Sequence, residues 1–157
     1  MKLRFFSLLL RLLSPVQSND VPNQEAIVED SGVDKIHVCE YLTIFNHKDG
    51  SISLVFHIEK DEILGLGEEM NAIREEAYMN GYNWEAFLNY HLKQSAPEIL
   101  EEMKTDSEAG AYIAYYDDGA KNKEKVNRFA DIILHLVENK EEIFRILREH
   151  GDDIKWD

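Results

Sequence analysis

Six histidines and one cysteine are the side chains here with the strongest inherent claim to metal binding or nucleophilic chemistry, and their spacing argues against both. The histidines stand at positions 37, 47, 57, 91, 135 and 150. No HxxxH pair occurs, and Cys39 has no second cysteine to complete a tetrahedral set. Cys39 falls in a strand-like run with no adjacent base, surroundings in which a thiol stays inert. His91 shares an apolar helical stripe with Trp84, Phe87 and Leu88 and reads as a core histidine. No GxSxG elbow is present. Gly65-Leu66-Gly67 lacks the third glycine of a phosphate loop, and the Glu68 and Glu69 that follow it would repel a phosphate. Carboxylates are so numerous that a pair such as Asp117 and Asp118 reads first as a solvated turn. No catalytic residue, metal ligand or cofactor site is expected.

Charge carries more information. The chain has 31 Asp and Glu against 17 Lys and Arg, a net charge of −14. Between Glu59 and Asp118 stand fifteen acidic and four basic residues, a net −11. Such a chain repels phosphate backbones, which excludes a general nucleic-acid binder. A field of this kind can instead steer a cationic protein partner. The candidate partner-binding residues are Glu68, Glu69, Glu75, Glu76, Asp117 and Asp118 for the charge, with Tyr115 and Tyr116 as neighbouring aromatic anchors.

These residues need a scaffold, and 157 residues at 44% hydrophobic content suffice for one hydrophobic core. Residues 1–14 differ from the rest, being basic and leucine-rich. Arg4, Ser7, Arg11 and Ser14 form one polar stripe opposite a Phe/Leu face, the pattern of an interfacial or partner-docking helix with weak membrane affinity. An atypical secretion signal, whose apolar run Arg11 cuts short, and an unstructured start are the other readings. Residues 15–32, with Pro15 and Pro22 among polar residues, read as a linker.

Beyond the linker, Ile36, Val38, Leu42 and Ile44 alternate with more polar residues, as do Ile52, Leu54, Phe56 and Ile58, predicting two antiparallel strands joined by a loop at 46–50 with Gly50 at positive φ. From Leu66 a helical period runs through Met70, Ile73 and Ala77, with Gly81 as its C-terminal glycine. Asn83 then caps a second helix, and Pro97 opens a short third one. Residues 111–116 predict a later strand. Val126, Phe129, Ile133 and Val137 mark another helix, and Asn139 with Glu142 has the spacing of a capping box for the last. The sum is an α+β fold, an antiparallel sheet of three to four strands with helices packed on one face, over residues 33–157.

Three strings in this scaffold are distinctive: Asn80-Gly81-Tyr82-Asn83-Trp84-Glu85, Ala109-Gly110-Ala111-Tyr112-Ile113-Ala114-Tyr115-Tyr116, and Gly151-Asp152-Asp153-Ile154-Lys155-Trp156. Their order and separation resemble the immunity protein 51 family of bacterial polymorphic toxin systems, over about residues 33–157. The resemblance implies a small acidic α+β domain, not an enzyme, whose partner is a cognate toxin domain that it binds and blocks in the cytoplasm. Its motifs are signatures of fold, so they name no contact residues. From the residues alone, two other classes stay open: a small hydrolase or transferase using carboxylates, and a membrane-associated or exported adaptor held by residues 1–14.

Overall fold

Period-two alternation builds the sheet, and the computed structural model describes it within residues 33–157. The expectations for residues 1–14 and 15–32 lie outside the described residues. In chain order the elements are β1 (Val33–Cys39), β2 (Leu42–His47), β3 (Ile52–His57), α1 (Asp61–Ile73), α2 (Gly81–Ser95), α3 (Pro97–Leu100), β4 (Lys104–Thr105), β5 (Ala111–Tyr116), α4 (Ala120–Glu138) and α5 (Lys140–His150). A 3₁₀ turn follows at Gly151–Asp153. The fold is α+β: the five strands pair antiparallel in the order β1-β2-β3-β5-β4.

One face of the sheet carries Leu42, Ile44, Ile52, Leu54, Phe56, Tyr112, Ala114 and Tyr116, all buried. The helices pack on this face, α4 against β3 and α2 against β5. Helices α1 and α5 pack on each other. Each helix contributes an apolar stripe: Trp84, Phe87, Leu88 and Leu92 from α2, and Val126, Phe129, Ile133 and Leu136 from α4. Phe56 meets Trp84 edge-on at 5.0 Å, and Tyr112 meets Phe129 in the same way at 5.9 Å.

The sheet has five strands, one more than the upper end of the expected three to four. The run from Ile36 to Ile44 is not one strand but a hairpin, turning at Glu40 and Tyr41, with a bulge between His37 and Cys39. The turn has no Gly, Pro or Asn, and the alternation of apolar residues continues across it, which hides the break in the sequence. β4 has only two residues and so no period to read. The β2–β3 hairpin matches expectation, with Gly50 at φ +86° and Asp49 accepting the Ser51 N–H at 2.9 Å.

Helix boundaries shift for tertiary reasons. α1 starts at Asp61 and stops at Ile73, leaving Ala77 buried in the connection to α2. Gly81 does not end that helix but opens the next, and Asn80, not Asn83, caps it by accepting the Asn83 N–H at 2.9 Å. The capping box at Asn139 does not form: its side chain turns back to donate to the carbonyl of His135 at 2.8 Å.

Candidate functional site

The first turn of α2 is where distant parts of the chain converge. A Cβ at Gly81 would collide with the backbone carbonyls of Glu108 and Ala111, so only glycine lets the helix start lie against the β4–β5 connection. Asn83 is fully buried and its Oδ1 accepts the backbone N–H of Asp157 at 3.0 Å. Trp84 fills the core between Phe56 and Phe87. The Glu85 carboxylate accepts the hydroxyl of Thr105 at 2.8 Å and that of Ser107 at 2.6 Å, holding β4 and its following loop to the helix.

The residues after α5 complete the convergence. Gly151 leaves room for the Arg74 guanidinium, whose Nη1 would stand 2.6 Å from a Cβ there. Arg74 bonds Asp152 at 2.6 Å and lies 3.3 Å from Glu76, and the hydrogen bond to Asp152 raises its pKa. The Trp156 indole donates to the Gly151 carbonyl at 3.0 Å. The tail after Gly151–Asp153 forms no strand; the Asp157 N–H bond to Asn83 Oδ1 ties it to α2 in place of a sheet ladder.

Tail and helix enclose a cleft of about 810 Å³. Tyr82, Glu85, Tyr90, Asp153, Trp156 and Asp157 line it, with the exposed Lys93 and Lys155 also along it. Tyr78 and Tyr82 are 53% and 43% exposed, unusual for side chains of this size, and the Tyr78 hydroxyl donates to Asp157 at 3.3 Å. A second cavity of about 320 Å³ lies beside the first, sharing Tyr90, Gln94 and His150 with it and bounded also by His91, Glu142 and Arg145. The rings of Tyr90 and His150 stand 6.0 Å apart between the two. His91 is half-buried here, and its burial lowers its pKa against the opposing pull of Glu142. Sequence reading missed this cleft, although Tyr82, Glu85, Asn89, Tyr90 and Lys93 recur at helical spacing opposite the apolar stripe of α2.

The acidic and aromatic residues singled out from the sequence occupy separate places. Glu68 and Glu69 are exposed on α1, where Glu69 pairs with Lys140 of α5 at 2.8 Å. Glu75 and Glu76 are exposed in the α1–α2 connection. Asp117 pairs with Lys104 at 2.8 Å, a hydrogen bond that raises the lysine pKa. Asp118 is exposed against the Gly50 turn. Tyr116 lies in the core, with its hydroxyl donating to the Ile99 carbonyl at 2.5 Å, and so cannot act as a surface anchor.

Tyr115 points the other way, onto the sheet face away from the helices. There Lys35, Phe45, Ser53, Tyr115 and Lys104 form one cross-strand row over all five strands. Lys35 Nζ lies 5.8 Å from the Phe45 ring centre and Lys104 Nζ 5.9 Å from that of Tyr115. His47 bonds Ser53 at 2.9 Å on the same face. Among the described residues, no three His, Cys, Asp or Glu side chains are grouped to hold a metal ion, and no helix is long and apolar enough to cross a membrane.

The family model described as Immunity protein 51 matches residues 42–152. That span includes the Gly81–Glu85 helix start, β5 and Gly151, and it ends before Asp153, Lys155, Trp156 and Asp157 of the cleft's tail wall. No curated protein and no solved structure is similar enough to match the chain.

Proposed function

Because the chain belongs to the immunity protein 51 family, we propose that it is a non-enzymatic antidote that binds a co-encoded bacterial toxin domain and blocks it. Family membership carries this reading. The charge agrees with it: Glu68, Glu75 and Asp118 are exposed on a chain of net charge −14. A toxin with a basic substrate channel would be drawn to such a surface and occluded by it, and wrong partners of like charge would be repelled. An antidote of this kind works in the cytoplasm, where a toxin acting on cytoplasmic targets must be intercepted.

The test is co-expression with the product of the adjacent toxin gene. Growth rescue together with co-purification of the two proteins is the expected result. Rescue without any complex, or a complex without rescue, would overturn the reading.

A further inference from the structure

We propose that the cleft between α2 and the C-terminal tail is the docking site for the toxin, and that it takes a lysine- or arginine-bearing segment whose cation meets Glu85. The inference rests on the antidote reading for the identity of the partner, but the chemistry of the site stands on its own geometry. The Glu85 carboxylate is fixed by two neutral hydroxyls, Thr105 and Ser107. Neutral donors hold its position without cancelling its charge, and two carboxylate oxygens retain acceptor capacity for a bidentate cation.

Tyr82, Tyr90 and Trp156 line the same cleft. Tyr and Trp are the side chains that most often dominate interface energetics, and their ring faces attract a cation. The charges along the cleft differ in how they are held. Glu85 is pinned as above, and Asp157 is pinned twice, by Asn83 through its backbone and by Tyr78 through its side chain. Lys93 and Lys155 are exposed, and flexible four-carbon stems let such lysines move aside. A cation entering the cleft therefore meets preorganised carboxylates at little ordering cost. A second cavity of about 320 Å³ adjoins the first across Tyr90, Gln94 and His150 and gives a chain segment a neighbouring hollow to occupy.

Two arms test the proposal in the full chain. In the first, affinity for the toxin domain is measured for Glu85→Gln, which keeps a hydrogen-bonding amide beside Thr105 and Ser107, and for Tyr90→Ala, with melting temperature recorded for each. A loss of tenfold or more with unchanged melting temperature is expected, against less than a twofold change for Asp131→Asn, an exposed carboxylate on α4. Unchanged affinity in both cleft variants, while the wild type binds toxin, would overturn the site but leave the antidote reading intact. The second arm needs no toxin: amide chemical shifts are followed during titration with a hexa-arginine or a hexa-glutamate peptide. Shifts at Tyr82, Glu85 and Trp156 with arginine alone are expected. No shift there, or equal shifts with glutamate, would overturn the proposal even if the toxin arm fails for lack of a complex.

Discussion

Asn83 Oδ1 accepts the backbone N–H of Asp157 at 3.0 Å, joining residues 74 positions apart and tying the tail to α2. Asn83 is fully buried while Asp157 is exposed, so this bond is partly shielded from water, and its loss leaves the Asp157 N–H without that partner. Asn83→Ala should lower unfolding free energy by about 1–3 kcal/mol. It should also quicken amide exchange at Asp157. Denaturant titration and hydrogen exchange check both, and unchanged protection at Asp157 would show that the tail is held by other contacts.

Gly81→Ala separates intrinsic propensity from packing. In an isolated helix the change is favourable by about 1 kcal/mol. Here the new Cβ would strike two backbone carbonyls, those of Glu108 and Ala111, which cannot rotate away as side chains do. The variant should be clearly less stable than the wild type by thermal melting. A raised melting temperature would mean that the β4–β5 connection gives way easily.

The two tryptophans should behave differently. Trp84 is 1% exposed between Phe56 and Phe87, and truncation to Ala should cost about 3–5 kcal/mol. Trp156 is half-buried on the tail, so Trp156→Ala should cost much less stability and show its main effect in partner binding. Melting curves and binding measured on both variants decide the assignment; a Trp84→Ala protein of native stability that no longer binds toxin would reverse it.

Much of the scaffold is legible in the sequence because period carries it. The alternation of β5 and the long stripe of α4 locate those elements, and the same alternation places Tyr116 with Tyr112 in the core and Tyr115 on the opposite face. Tyr116 shares the inward phase of Tyr112, which leaves only Tyr115 of the pair for the outer face. What the sequence hides is tertiary. Gly81 resembles a helix terminator because the carbonyls it must approach, at Glu108 and Ala111, come from a later part of the chain. The cleft is hidden likewise, since its walls meet through contacts between residues far apart in the chain, such as Asn83 and Tyr78 with Asp157 and Tyr90 with His150. The aromatic stripe of α2 was visible, but nothing local shows that a tail lies beside it.

Stability should fall on mild acidification. Burial lowers the pKa of His91, and burial followed by the charges of Lys60 and Lys35 lowers that of His57, both from the usual 6.5. Below that value the unfolded chain takes up protons that the folded chain refuses. The stabilisation present above it is therefore lost as pH falls through the depressed folded values. Unfolding free energy measured by denaturant should be lower at pH 5 than at pH 7.5, and His91→Gln should make the dependence shallower. An identical slope in the variant would remove His91 as a contributor.

Inhibition of the toxin in a purified system, with the chain titrated against a fixed amount of its co-encoded toxin domain, bears most directly on what this protein does. Toxin activity should fall linearly and vanish at equimolar antidote, with a complex of the two recovered by size-exclusion chromatography. Because exposed charges are screened beyond about 8 Å at 0.15 M salt, the association rate with a cationic toxin should also drop as salt is raised. Toxin that stays fully active in excess chain, with the two proteins eluting separately, would contradict the account.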